Sequence, residues 1–257
     1  MPTVAVPQLA VKDLSVDTNV AEIVERADRL ESGVDVALFP EYALTGFVDD
    51  DRLADVALDA EGPVLDRVRE TARDNDLALL VGFVERGDGR CYNATAYVRP
   101  SGETTVYRKR HLWGSERDVL TAGDERVIVD TPAGRTGILT CYDLNFVAES
   151  AAFTRERVDA LFVTGAWPAA HSENWRLLLR ARALDGVRWV VGAGRTGPHR
   201  TTATPPAEYA GRSMVVRPDG AVAAAVNRDE RDLVVTLDPA VLAEQRAFIP
   251  IFDERVE

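Results

Sequence analysis

Arg135-Thr-Gly-Ile-Leu-Thr-Cys-Tyr-Asp-Leu-Asn145 places a cysteine where a strand gives way to a turn. Residues 135–140 read as a strand, and a helix is predicted over 146–157. Cys141 then stands at the rim of a sheet, where neighbouring backbone N–H groups can lower a thiol pKa and later receive an oxyanion. Two other residues occupy similar positions. Glu41 follows the apolar run 34–39, and Lys109 follows the strand-like run 104–108. Only two of the 30 basic residues are lysines: Lys12 lies in a charged stretch, and Lys109 lies inside Val106-Tyr-Arg-Lys-Arg-His-Leu-Trp113. Arginine spreads its charge over a planar fork, whereas lysine delivers a point charge, the form that suits one developing oxyanion. Each residue alone has a plainer reading. Cys141 fits a buried structural position, Glu41 a helix start or surface carboxylate, and Lys109 a chance survivor. Together they offer a base, a cation and a nucleophile.

The remaining elements frame these three positions. A strand is predicted over 4–9, and a helix over 19–32 with Val20, Ile23, Val24, Ala27 and Leu30 on one face. The strand over 34–39 stops at Pro40, and a helix runs from Gly62-Pro63 to about Arg73. Residues 77–85 form a continuous apolar strand, too hydrophobic for a wet face. Gly-containing turns lead on to strands over 91–99 and 104–108, and residues 127–130 pair with 135–140 as a hairpin. Beyond the helix over 146–157 come a strand (160–164), a helix (172–185), a strand (188–193), a hairpin (213–217 with 221–226), a strand (233–237) and a short helix from Pro239. Helices separate some strands and hairpins join others. The fold class is α/β, a mixed sheet system covered by helices, whose chemistry gathers at the carboxyl ends of the strands.

Composition narrows the function. The chain has 257 residues and 46% hydrophobic content, enough for a sizeable core, and no linker or repeat divides it. One domain over 1–257 is expected. The net charge of −12 argues against nucleic acid and against an anionic membrane surface as partners. The acidic, arginine-rich balance fits either salt adaptation or a GC-rich genome. No apolar run approaches membrane-spanning length, and the N-terminus lacks a basic leader. With only Cys91 and Cys141 there is no disulfide framework, so a cytoplasmic location is expected. His111, His171 and His199 are too scattered for metal-ligand spacing.

Two other motifs compete. Val191-Gly-Ala-Gly-Arg-Thr-Gly197 matches a dinucleotide fingerprint, which requires a helix opening on the glycines. Pro198-His-Arg-Thr-Thr-Ala-Thr-Pro-Pro206 cannot supply one. A papain-like pair of Cys141 with His111 or His171 lacks that family's local signature.

Phe39-Pro-Glu-Tyr-Ala-Leu-Thr-Gly46, Tyr107-Arg-Lys-Arg-His-Leu112 and Gly137-Ile-Leu-Thr-Cys-Tyr-Asp-Leu-Asn-Phe146 resemble, in order and spacing, the three signature segments of the nitrilase, or carbon–nitrogen hydrolase, superfamily. Thr121-Ala-Gly-Asp124, Ala166-Trp-Pro168, Asn174-Trp-Arg-Leu-Leu-Leu-Arg-Ala-Arg-Ala183 and Gly211-Arg-Ser-Met-Val-Val-Arg-Pro-Asp-Gly220 extend the resemblance over essentially the whole chain. It implies a four-layer α-β-β-α sandwich, a homodimer, and a Glu–Lys–Cys triad that works without metal or organic cofactor. Glu41 would be the general base, Cys141 the nucleophile and Lys109 the oxyanion stabiliser, helped by the Tyr142 N–H. Glu116 would position the triad. Tyr142, Asn145, Trp167 and Arg195 are the implied substrate contacts.

The sequence departs from the family pattern after the cysteine. Many relatives read Tyr-Asp-x-Arg-Phe-Pro-Glu there, whereas this chain has Tyr142-Asp-Leu-Asn-Phe-Val-Ala148. A cation and an anion are lost together, which weakens the case for a substrate carboxylate held in this loop. Arg195 is the alternative receiver. Cys-Tyr-Asp favours amidases over true nitrilases, and Ala166-Trp-Pro168 is similar to omega-amidase-like members. The expected reaction is hydrolysis of a small linear amide through a cysteine thioester. N-carbamoyl compounds or nitriles are the alternatives, followed by a catalytically silent binding protein.

Overall fold

The computed structural model describes residues 1–199 and 207–252. In chain order the strands and helices are β1 (Thr3–Gln8), α1 (Val16–Arg29), β2 (Val36–Leu38), α2 (Arg52–Asp55), α3 (Pro63–Asp74), β3 (Ala78–Gly87), β4 (Arg90–Val98), β5 (Thr104–Arg108), α4 (Glu116–Val119), β6 (Ile128–Thr131) and β7 (Gly134–Thr140). They continue with a 3-10 turn (Cys141–Asn145), α5 (Val147–Arg155), β8 (Ala160–Gly165), a 3-10 turn (Ala169–His171), α6 (Ser172–Leu184), β9 (Trp189–Gly194), β10 (Pro198–His199), β11 (Ala207–Glu208), β12 (Met214–Val216), β13 (Val222–Ala225), β14 (Arg231–Thr236) and α7 (Pro239–Phe248).

Two six-stranded sheets carry the fold, ordered β14-β1-β2-β3-β4-β5 and β13-β12-β9-β8-β7-β6. Each is mixed. Parallel pairing links β1, β2 and β3 in one sheet and β7, β8 and β9 in the other, and antiparallel strands finish both sides.

Strand periodicity explains the layering. Side chains alternate between the two faces of a strand, and in the central strands both faces are apolar. Val36 and Leu38 of β2, Ala78 and Leu80 of β3, Ile138 of β7, and Ala160 and Phe162 of β8 fill the space between the sheets. Their alternates pack outward against helices. Ala37, Leu79 and Val81 join Ile23 and Ala27 of α1 and Leu65 and Val68 of α3. Leu139, Leu161 and Val163 join Trp175 and Leu179 of α6. The result is a four-layer α-β-β-α sandwich. Fully burying a Leu, Val or Phe side chain contributes roughly 1.5–3 kcal/mol, so three contiguous apolar layers outweigh the local preferences of single segments.

Local preferences explain the smaller differences from the sequence reading. α1 begins at Val16, three residues before the predicted start, because buried Asn19 turns its side chain back to the loop. Asn19 accepts from the Lys12 N–H and donates to the Lys12 and Leu44 carbonyls. The helix predicted over 146–157 starts within one residue of its expected position and ends two residues early. Residues Cys141–Asn145 form a separate 3-10 turn, and α5 covers only Val147–Arg155. Gly192 and Gly194 lie within β9, and the chain passes to strand β10 rather than to a helix, so the glycines do not build a dinucleotide site. The rest of the segment predicted to be non-helical, 200–206, lies outside the described residues. Among the described residues, no helix is long and apolar enough to cross a membrane.

Candidate active site

Three strand ends meet at one edge of the sandwich. The first carries Glu41, just past β2. Gly82 of β3 passes directly beneath it, and a Cβ at Gly82 would lie 2.8 Å from the Glu41 Cα and 2.6 Å from the Tyr42 N. Only glycine admits that approach. The loop is then held by Leu44 N–H donating to the Gly82 carbonyl at 3.0 Å, and Tyr42 adopts a left-handed φ of 59°.

The second strand end carries Lys109, just past β5. Its N–H donates to the Asn93 carbonyl at 2.7 Å, and its own carbonyl accepts from Gly123 N–H at 2.9 Å. Gly123 is again a close approach, since a Cβ there would lie 2.4 Å from the Arg108 carbonyl oxygen. The segment Thr121-Ala-Gly-Asp124 therefore docks on the backbone that delivers the lysine.

The third carries Cys141, at the end of β7. Its φ is 50°, a left-handed value that costs a non-glycine residue roughly 1 kcal/mol or more and persists only where its surroundings enforce it. A reciprocal capping box encloses it: Thr140 N–H donates to Asp143 Oδ2 at 3.0 Å, and the Thr140 side chain receives the Asp143 N–H.

The side chains form one buried network. Lys109 Nζ lies 2.9 Å from Glu41 Oε1 and 2.9 Å from both carboxylate oxygens of Glu116. Glu41 Oε1 also accepts from Asn93 Nδ2 at 2.7 Å, and Glu41 Oε2 accepts from the Ala166 N–H at 2.6 Å. Glu116 receives further donors: Tyr42 Oη, Asn93 Nδ2 at 2.9 Å and the Trp113 N–H at 2.7 Å. Glu41, Lys109, Glu116 and Asn93 are each at most 5% exposed. A buried charge needs partners and hydrogen bonds to be tolerated, and every one of these has them.

Two carboxylates and one ammonium leave the cluster with one excess negative charge, which sets its electrostatics. Burial alone would lower the Lys109 pKa, but Glu116 and Glu41 more than offset it and hold the ammonium well above its ordinary range. The Cys141 thiol is also pushed well above its usual value, first by burial and then by Glu41. Lys109 and the Ala166 N–H pull it the other way without prevailing. Burial and then Glu116 likewise keep Tyr42 protonated, so it donates to Glu116. A resting thiol beside a carboxylate is an arrangement for proton transfer during attack, not for a preformed thiolate.

The network forms one wall of a cavity of about 280 Å³. Glu41, Lys109, Glu116, Cys141, Tyr142, Asn145 and Trp167 all line it, as do Tyr42, Trp113, His171 and Tyr209. Seven of the eight residues anticipated at the site are thus brought to one cavity. Arg195 is not among them. It is fully buried behind Tyr209, with its guanidinium 2.6 Å from Asp13 Oδ1, 2.9 Å from the Val11 carbonyl and stacked 4.3 Å from the Tyr209 ring. That side chain braces the back of the pocket and has no access to a substrate carboxylate. His111 pairs with Asp143 rather than with Cys141, and His171 lies elsewhere on the cavity wall.

Sequence reasoning missed Asn93, which holds both glutamates with one carboxamide. The signal was present: Asn93 and Thr95 are polar residues on the buried face of a β-strand otherwise filled with Ala, Tyr and Val.

A four-layer α-β-β-α sandwich with Glu41, Lys109 and Cys141 gathered at its strand ends is the arrangement that the resemblance to carbon–nitrogen hydrolases implies. The family model for carbon–nitrogen hydrolases matches residues 3–247, and the chain belongs to that family. It is 33% identical over 231 residues to an (R)-stereoselective amidase from a Pseudomonas species, an alignment covering 90% of this chain and 83% of that protein. It is 29% identical over 224 residues to a 2-oxoglutaramate amidase from Bacillus subtilis, covering 86% of this chain and 84% of the relative. In three dimensions it superimposes with a TM-score of 0.89 on a CN-hydrolase superfamily protein from Xanthomonas campestris that carries an arsenic adduct in its active site. The two are 26% identical, and the match covers 100% of this chain and 98% of the other.

Proposed function

We propose that this carbon–nitrogen hydrolase is a thiol amidohydrolase that converts a small, uncharged linear amide to its carboxylic acid and ammonia, with residues 1–257 acting as one catalytic domain. Glu41 takes the Cys141 proton as the sulfur attacks the amide carbonyl carbon. The negative charge that Glu41 gives up on protonation reappears on the substrate oxygen as the S–C bond forms. The oxyanion that forms is received by the Lys109 ammonium and the Tyr142 N–H. Collapse of the tetrahedral species breaks the C–N bond, the proton on Glu41 passes to the departing nitrogen, and ammonia leaves behind a Cys141 thioester. Water, giving a proton to Glu41, attacks the thioester carbonyl. A second collapse releases the acid and returns the proton to sulfur. Glu116, Tyr42 and Asn93 keep Lys109 and Glu41 in register throughout. No metal or organic cofactor enters this scheme.

The observation that carries the reading is the convergence of Glu41, Lys109 and Cys141, from three strand ends, on the wall of one cavity. The amidase names of two relatives support the choice of amides over nitriles. The test is ammonia release from a panel of small amides, ureido acids and nitriles. Turnover of amides that disappears in Cys141→Ala is the expected result. Turnover confined to nitriles or ureido acids would replace the substrate class, and turnover surviving in Cys141→Ala would reject the mechanism.

A further inference from the structure

Outside the Glu–Lys–Cys cluster, one buried carboxylate makes contacts that the proposed chemistry does not use. Asp143 is fully buried, two residues beyond Cys141, and its two oxygens accept four hydrogen bonds. Oδ2 receives the Thr140 N–H at 3.0 Å and the Tyr107 hydroxyl at 2.7 Å. Oδ1 receives the His111 N–H at 3.0 Å and lies 2.9 Å from His111 Nδ1. Because the partner is a carboxylate, Nδ1 is the protonated nitrogen of that ring. The His111 ring is itself fixed on both sides. It stacks on Phe146 with centroids 3.6 Å apart, and its Nε2 lies 3.8 Å from Glu149 Oε1. Glu149 is buried and held by Arg110 and Arg126.

We infer that His111 is a positioning residue for the nucleophile: its Nδ1–H locks Asp143, and Asp143 locks the turn that keeps Cys141 in its left-handed conformation. The route is short and continuous. Lys109 and His111 share one segment, so the residue that orients the Cys141 turn travels with the residue that receives the oxyanion. Tyr107, two residues before Lys109, supplies the other side-chain donor to Asp143. The segment Tyr107-Arg-Lys-Arg-His111 thereby ties the geometry of the cation to that of the thiol across the two sheets.

The inference rests on the reading of Cys141 as nucleophile, and two variants separate it from a general packing role. His111→Phe keeps a ring to stack on Phe146 but removes the Nδ1–H donor. His111→Asn loses the stack but presents an amide N–H to Asp143. In both, the His111 backbone N–H still reaches Asp143. The expected result is that His111→Phe loses 10–100-fold in kcat, with KM within threefold and the melting temperature within a few degrees of wild type. The rate at which iodoacetamide alkylates Cys141, followed by mass spectrometry, should fall in parallel. His111→Asn should stay within threefold of wild type on every measure. Wild-type kcat in His111→Phe would overturn the inference, as would equal impairment of the two variants, or a loss explained by the unfolded fraction. If wild-type inactivation maps to a residue other than Cys141, the nucleophile assignment itself fails, an outcome distinct from any of these.

Discussion

The Lys109 ammonium lies 2.9 Å from Glu41 Oε1, although 68 residues of sequence separate the two. That contact crosses from the end of β5 to the end of β2, strands separated in their sheet by β3 and β4. It is bridged by Asn93 of β4, whose carboxamide reaches Glu41 and Glu116 together and whose carbonyl holds the Lys109 backbone. A lysine confined by two carboxylates cannot swing to solvent, so its charge is already in place when an oxyanion develops.

Cys141 should carry the acyl group. Enzyme quenched during turnover of an amide is expected to show, by mass spectrometry, a mass increase on the peptide containing Cys141 and none on the peptide containing Cys91. Cys141→Ala and Cys141→Ser should lose turnover while circular dichroism remains native. An adduct on Cys91 would refute the assignment.

Glu41→Gln and Lys109→Arg should each lose at least about 10²-fold in kcat, the usual cost of removing a general base or an oxyanion donor. Arginine retains the charge but not the compact geometry, and it has no room beside Asn93 and two glutamates. Asn93→Ala removes a donor shared by two carboxylates and should cost about tenfold or more, in line with roughly 1.5–3 kcal/mol for hydrogen bonds to charged groups. Near-wild-type rates in Lys109→Arg would reject the oxyanion role.

The raised thiol pKa gives a pH signature. An acid whose pKa is raised stays protonated until the pH climbs through the shifted value. Alkylation of Cys141 by iodoacetamide in the absence of substrate should therefore keep rising above about pH 8.5, the ordinary cysteine value. A plateau below neutral pH would mean a preformed thiolate instead. Glu41 is one of the groups that raise the thiol pKa, so Glu41→Gln should move the alkylation profile to lower pH even as turnover is lost.

Asn145 and Ala148 stand exposed where many relatives place an arginine and a glutamate, and Arg195 is closed off by Asp13. Among the described residues, Lys109 is the one arginine or lysine lining the cavity, and it is already shared by two glutamates. Simple aliphatic amides should then be preferred over N-carbamoyl amino acids of similar size, measured as kcat/KM. A tenfold preference for the carbamoyl acid, about 1.4 kcal/mol of transition-state discrimination, would overturn this.

A homodimer is expected. Val147 of α5, Leu177 and Leu184 of α6 and Phe248 of α7 are 48–78% exposed on the outer helices, apolar area that a second copy would cover. Phe252 in the C-terminal tail is engaged within the chain, its ring near the guanidinium groups of Arg157 and Arg246. Light scattering at micromolar concentration should give twice the 28.1 kDa chain mass; a monomer mass would refute it.

Most strands were legible because their burial requires it. The run over 77–85 is apolar on both faces, and only a central strand covered by a sheet on one side and helices on the other can bury both. Residues 104–108 were predicted to their observed limits, and the helix over 172–185 to within one residue. A turn after Cys141 was legible, but its 3-10 form and the left-handed φ of Cys141 were not, because Asp143 in that turn is held by Tyr107 and His111, more than 30 residues earlier.

Sequence by itself determined a mixed sheet system covered by helices and marked Glu41, Lys109 and Cys141 as strand-end candidates for base, cation and nucleophile; the four-layer stacking entered only through the family resemblance. Periodicity fixes which faces are buried, and the three residues each follow the last residue of an apolar or alternating run, where a strand must end. Tertiary structure alone decided what each charge does. Arg195 and Lys109 are both buried cations near the same cavity. Asp13 closes off the first as a brace, while two glutamates hold the second at the cavity wall. The difference arises from partners 182 and 68 residues away, and electrostatic interactions depend on distance through space rather than separation along the chain.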